Sequence, residues 1–548
     1  MAPFPDRLPY DSRREPVYAR NCVATSQPLA AQAGLEMLRK GGNAFDAAVA
    51  TAMALTVVEP TSNGIGADGF AIAWAGGGLH ALNASGRSPA LLTEAEIANR
   101  FAGESSIPYY GWGGVTTPGA VSAWAALAEN HGTLPMTTLA EPAIRYAREG
   151  FLLSPQTAYY WNRGARRYPT DGPFKAWHDT FAPGGRVPQT GELVRLPDHA
   201  DTLQSIAETN GLSFYEGELA DKIDAAARTQ GGLLRASDLA AHAYDHPRTV
   251  HTDYKGLTLH EIPPNGQGIT ACIALGILRH FDLAKFDPDD PACLHLQIEA
   301  MKLAFRDAHR YIADPAHMDT TSEALLDPDY LAARAKLIDP NRAQDFDHGT
   351  PKPGGTVYLT AADAEGNMVS YIQSNYTGFG SGIVVPGTGI ALQNRGCCFT
   401  LEDNLPNRAG PSKRPYHTII PGFVTRTGPD GNDIPVMSFG VMGGYMQPQG
   451  HAQVLVRLAD FNQNPQAALD APRWQVTEGL SVTIEPGFDD AVYAALESMG
   501  HAVQRARART VSHGRGQIIY RLDEPDGSGF RGYCAASDQR ADGQAVGF

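Results

Sequence analysis

The sequence predicts an α+β fold with one intertwined core, and three observations carry that reading. Helix-period patterns dominate the chain up to a Pro/Gly-rich connection at Asp339–Gly355. Strand-period patterns dominate after it. The strand-rich part does not look self-sufficient, so the two parts are expected to share a core. Among the 548 residues, 43% are hydrophobic and 19% charged, as in a well-packed globular protein.

The elements follow in order. Gln27 to Pro60 reads as two helices: Gly41-Gly42 ends the first, and Asn43 caps the second with Asp46 in its first turn. Phe45, Val49, Ala52 and Met53 then share one face. The glycines Gly64, Gly66 and Gly69 spell a formal GxGxxG. A dinucleotide loop needs a strand before it and a helix after it, and here the order is reversed, so a tight turn is expected. "DKIDAAARTQGG" and "LHLQIEAMKLAFRDAHRYIADP" are helices by period. His295 and Glu299 stand four apart on the second and are expected to form a surface pair, not a metal site. The segment 339–355 is expected to be exposed. After it, "TVYLTAAD" and "MVSYIQSN" flank the turn signal "AEGN" as a hairpin. Further strands are expected at "GIALQN", "IIPGFVTR", "PVMSFGV" and "GQIIYR", with one helix at "GHAQVLVRLADF".

Bulk properties exclude several functions. A net charge of −15 argues against nucleic-acid binding, which needs a basic face. The six cysteines form no CxxC pair, so no zinc site is expected, and their scatter fits a reducing compartment. The N-terminus lacks an apolar signal region and no apolar run approaches about 18 residues, so a cytoplasmic protein with no membrane partner is expected.

The junction Gly354-Gly355-Thr356 has two readings: a strand that begins after a loop, or a cleavage site that exposes a threonine. Cleavage before Thr356 would give it a free α-amine with a pKa of roughly 7.7–8.0, able to act as base on its own hydroxyl. Two preceding glycines suit the strained geometry of such a cut.

The stretch "GGTVYLTAADAEGNMVSYIQSNYTGFGSGIVVPGTGIALQN" resembles the γ-glutamyltranspeptidases, N-terminal-nucleophile hydrolases that cut themselves. "GGNAFDAAVA", "GIGADGF", "NASGRSP", "EAMKLAFRDAHRYIADP", "GPSKRP" and "VMGGYMQPQGH" extend the resemblance over nearly the whole chain. It implies a four-layer αββα sandwich formed jointly by two chains, 1–355 and 356–548, held as a heterodimer or a dimer of these. It also implies cleavage between Gly355 and Thr356, with Thr356 as nucleophile and Ser374 bonded to it. Backbone amides of Gly443 and Gly444 are implied as the oxyanion hole, and Arg87 as the grip on a substrate carboxylate. No cofactor or metal is implied.

The sequence departs from the family at the substrate end. Cys398 stands where the family keeps an acid for the substrate's α-amine, His417 and Thr418 replace paired serines, and Tyr376 replaces an asparagine. The resemblance therefore implies hydrolysis or transfer of γ-glutamyl amides such as glutathione. The departures keep open a glutaryl-amide or oxamate-like substrate on the same mechanism. A catalytically silent binding protein would be expected to have lost Thr356 or its glycines, and it has lost neither.

Overall fold

The computed structural model describes residues 13–346, 355–508, 510–524 and 529–548. Ahead of residue 355 the chain supplies β1 (Val17–Ala19), β2 (Cys22–Thr25), β3 (Asp68–Ala75), β4 (Gly78–Asn83), β5 (Val250–Tyr254) and β6 (Leu257–Glu261). From residue 355 onward come β7 (Gly355–Ala362), β8 (Met368–Tyr376), β9 (Gly422–Thr427) and β10 (Asp433–Met442). They are followed by β11 (Arg515–Asp523), β12 (Phe530–Ser537) and β13 (Gln544–Gly547). They form two antiparallel sheets. One is six-stranded in the order β13-β2-β7-β8-β3-β4, and the other seven-stranded in the order β1-β12-β11-β10-β9-β6-β5. Each sheet mixes strands from both sides of residue 355, so neither part of the chain completes a sheet alone.

The sheets face each other, and alternation along β7 shows how. Val357, Leu359 and Ala361 turn outward into a helix-covered core. Tyr358 and Ala362 turn inward to meet Phe423, Met442 and Ile519 of the other sheet. Gly440 permits this approach, because a Cβ there would lie 2.5 Å from the Tyr358 ring. Thr356 has the parity of Tyr358 and so faces the inter-sheet side.

Helices cover the outer faces. On the six-stranded sheet lie α1 (Pro28–Arg39), α2 (Ala44–Val58) and α3 (Ala120–His131), with α4 (Met136–Glu149) packed on α2. Asn43 and Asp46 form the capping box expected of α2, whose residues are all buried. A Cβ on Gly34 would sit 2.3 Å from Thr51 Oγ1, so glycine is what lets α1 and α2 close up. On the seven-stranded sheet lie α5 (Gly268–Leu278) and α7 (Met446–Ala459), with α6 (Pro291–Tyr311) packed on α5. Among the described residues no helix is long and apolar enough to cross a membrane. The six cysteines are buried and none forms a disulfide.

Three expectations need correction. His295 and Glu299 are not a surface pair: both are fully buried, because α6 is covered on several sides. His295 Nδ1 meets His501 Nε2 at 2.8 Å, and Lys302 Nζ donates to Glu299 Oε1 at 2.7 Å. The ammonium thus fills the place a cation would take. "GIALQN" forms only single bridges, Val384 with Ala391 and Gly66 with Leu392. Gly387 just before it and Gly389, its first residue, hold φ at +68° and +69°, which breaks any ladder. The connection from Asp339 is not wholly exposed, since Ala343 and Phe346 are buried; residues 347–354 lie outside the described residues.

Candidate active site

Thr356 is the second residue of β7 and 1% exposed. Ser374 lies near the end of the neighbouring strand β8, and its Oγ is 3.1 Å from Thr356 Oγ1. The protons can be assigned by counting. Ser374 donates its one O–H to the Gly355 carbonyl at 2.7 Å and accepts the Tyr376 N–H at 2.8 Å. Thr356 Oγ1 must then donate to Ser374. Gln447 Nε2 approaches Thr356 Oγ1 at 3.5 Å from α7. A hydroxyl and the carbonyl carbon of its own preceding residue are thereby held around one polarising serine.

Arg515 fixes the backbone here. Its Nη2 donates to the Thr356 carbonyl at 2.8 Å, and its Nη1 pairs with Glu59 at 2.6 Å. Both side chains are buried, so the pair positions the strand end through a desolvated contact.

Gly443 and Gly444 end β10 just before α7, with φ of +143° and +63°. The Gly444 carbonyl accepts from Gln267 Nε2 at 2.9 Å. Gly443 lines a cavity of about 600 Å³ together with Gly355, Thr356, Thr377 and Gly378. The lining also carries Arg163, Arg167 and Arg515 and no aspartate or glutamate. Such a cavity favours an anionic ligand.

The other predicted residues fall in two places. Tyr376, Cys398 and Thr418 gather around a buried arginine, Arg395. Its Nη1 donates to Thr418 Oγ1 at 2.6 Å and lies 3.8 Å from Cys398 Sγ, and its guanidinium carbon stands 4.6 Å over the Tyr376 ring. Tyr376 holds φ at +73°, a strained value for a tyrosine, and burial raises its pKa well above the ordinary phenol range. His417 adjoins this group. Its Nε2 is 3.1 Å from Asp68 Oδ2, and its Nδ1 accepts the Ile419 N–H at 3.4 Å, which makes Nε2 the protonated nitrogen. Burial pushes His417 well below its usual range and Asp68 up to about 7.

Arg87 is set apart. Its Nη1 pairs with Asp314 at 2.8 Å and reaches the Ser412 carbonyl, and its side chain is 48% exposed. It is not among the residues lining the cavity at Thr356.

Sequence reasoning did not single out Glu59, Gln267, Arg395, Gln447 or Arg515. Gln447 and Arg395 sit inside the motifs "VMGGYMQPQGH" and "NRGCCF", and a charge three residues from the altered Cys398 was the available signal for Arg395. Arg515 lies far along the chain from Thr356, and only the pairing of β10 with β11 brings it in.

Comparison with known proteins gives the chain's family. The family model for gamma-glutamyltranspeptidase matches residues 30–548. A solved cephalosporin acylase from Bacillus halodurans is 50% identical with a TM-score of 0.93, covering 100% of this chain and 99% of that one. The glutathione hydrolase-like YwrD proenzyme of Bacillus subtilis (strain 168) is 34% identical, over 96% of this chain and 98% of its own. The oxamate amidohydrolase proenzyme of Klebsiella pneumoniae is 35% identical, over 95% and 97%. The chain belongs to the gamma-glutamyltranspeptidase family and is an enzyme of its N-terminal-nucleophile hydrolase class.

Proposed function

We propose that the chain cuts itself before Thr356 and then hydrolyses, or transfers to an amine, small amides whose acyl group carries a carboxylate but no α-ammonium. The observation that carries this reading is the Gly355–Thr356–Ser374 cluster. Thr356 Oγ attacks the Gly355 carbonyl carbon, whose oxygen is already bonded to Ser374. The C–N bond breaks as the Oγ ester forms, the hydroxyl proton passing to the Thr356 nitrogen to give the free amine, and water then hydrolyses the ester to release residues 1–355 and restore the hydroxyl. The two pieces remain one four-layer αββα body, because each sheet needs strands from both.

In the mature enzyme the freed amine takes the Thr356 hydroxyl proton as Oγ attacks the substrate amide. The amides of Gly443 and Gly444, next to the N-terminus of α7, stabilise the oxyanion. The ammonium returns its proton to the leaving amine, and water or an acceptor amine releases the acyl group.

The choice of acyl group is supported by charge. The cavity lining holds three arginines and no acid. At the altered end of the site stand a thiol, Cys398, and a histidine that burial keeps neutral, His417. Neither offers a negative charge to an ammonium. The similarity to a protein named cephalosporin acylase and to one named oxamate amidohydrolase supports the same direction. A γ-glutamyl donor such as glutathione is the second reading, favoured by the family and by the glutathione hydrolase-like relative.

A side-by-side assay of γ-glutamyl anilide, glutaryl anilide and oxamate tests the choice. Turnover of glutaryl anilide or oxamate well above γ-glutamyl turnover is expected. Preferred γ-glutamyl turnover would overturn it.

A further inference from the structure

Arg395 poses a physical problem that the catalytic steps do not use. It is fully buried. Only Nη1 has partners, Thr418 and the Cys398 sulfur, while Nε and Nη2 have none. None of its hydrogen bonds goes to a carboxylate, and Asp68, whose charge acts on it, already holds His417 and the Gly86 amide. A guanidinium buried with two empty donors is costly unless an anion meets it.

Its location says what that anion belongs to. Thr418, which holds Nη1, passes its carbonyl to Gln267 Nε2, and the same amide group donates to the Gly444 carbonyl. Tyr376, under the guanidinium, gives its backbone N–H to Ser374, which holds Thr356. Two residues, Thr418 and Gln267, therefore link Arg395 to the Gly444 carbonyl, and two, Tyr376 and Ser374, link it to the nucleophile. The walls are aromatic. Tyr109 stacks on Tyr376 with ring centres 6.1 Å apart, and Tyr445 stacks on Tyr416 at 5.8 Å. Tyr109 and Tyr445 are only half-buried, so this aromatic group reaches the solvent. Arg87, in contrast, already has a carboxylate partner in Asp314.

We propose that Arg395 anchors the acyl carboxylate, its Nε and Nη2 forming the planar fork that a carboxylate accepts in two bonds. The substrate class is then the mono-amide of a short dicarboxylic acid, with its methylenes against the tyrosine rings. This rests on the reading of Thr356 as nucleophile.

The test compares glutaryl and butyryl p-nitroanilides, which differ in the carboxylate, on wild type, Arg395→Met, Arg395→Lys and Arg87→Met. The ratio of their kcat/KM values is expected to fall on the order of 100-fold in Arg395→Met. Arg395→Lys, which keeps charge without the fork, is expected to recover part of it, and Arg87→Met to change it little. An unchanged ratio in Arg395→Met, or a collapse in Arg87→Met instead, overturns the proposal. Binding of free glutarate, read as a thermal shift of each protein against butyrate, gives a second readout that needs no turnover. Glutarate stabilising wild type most, Arg395→Lys less and Arg395→Met not at all supports the anchor; equal stabilisation of all three overturns it. Denaturing gels of the same samples keep the two claims apart. Wild type that hydrolyses anilides as an intact chain defeats the nucleophile reading, while the ratio still decides the role of Arg395.

Discussion

Replacing Ser374 by alanine removes the group that joins the two halves of the self-cleavage step. Three bonds go with it: to the Gly355 carbonyl at 2.7 Å, from Thr356 Oγ1, and from the Tyr376 N–H at 2.8 Å. The first matters for rate. A donor lost from a developing oxyanion costs about 3 kcal/mol, which slows the step on the order of a hundredfold. The third matters for stability, because a buried N–H left without an acceptor costs about 1–3 kcal/mol. The assay is a time course on denaturing gels after expression of the precursor. Wild type should resolve into pieces 1–355 and 356–548, and Ser374→Ala should persist as full-length chain over the same period while still folding. Cleavage of Ser374→Ala at the wild-type rate would refute the hydrogen-bond assignment.

Other outcomes follow from the same geometry. Arg515→Met leaves Glu59 buried without its partner and frees the Thr356 carbonyl; about 3–5 kcal/mol of stability should be lost, read by chemical unfolding, together with slower processing. Gly443→Ala puts a side chain at φ +143° in the turn before α7; strain of about 1–3 kcal/mol should lower kcat more than it raises KM in steady-state assays. His199 supplies a pH test. Burial lowers its pKa to about 4 from 6.5, so the unfolded chain takes up a proton in that window and the native state does not. Its contribution is therefore present above pH 6.5 and is lost as pH falls toward 4. In His199→Gln, the stability difference between pH 7 and pH 5 should shrink by about 2 kcal/mol relative to wild type in urea unfolding, and an unchanged difference would contradict the assignment.

Much of this site is legible in the sequence because its signals are local. The Pro/Gly-to-strand junction at Thr356, the hairpin, the capped helices and the Gly443-Gly444 turn all depend on neighbours in the chain. What stayed hidden is set by distant packing. A His–Glu pair four apart on a helix is ordinarily solvated, yet α6 is buried deeply enough to bring His501 and Lys302 to it. Arg395 carries no local mark of burial, since its isolation depends on walls from Tyr376, Thr418 and Tyr445. The strand-like "GIALQN" lacks a ladder because positive-φ glycines stand at its start, a feature that spacing alone does not convey.

Intact mass and N-terminal sequencing of a preparation that turns over amides bear most directly on the account. It predicts a small chain whose first residue is Thr356, with Thr356→Ala remaining whole and inactive. Full activity in an uncut chain, or in one whose new terminus lies elsewhere, would contradict it.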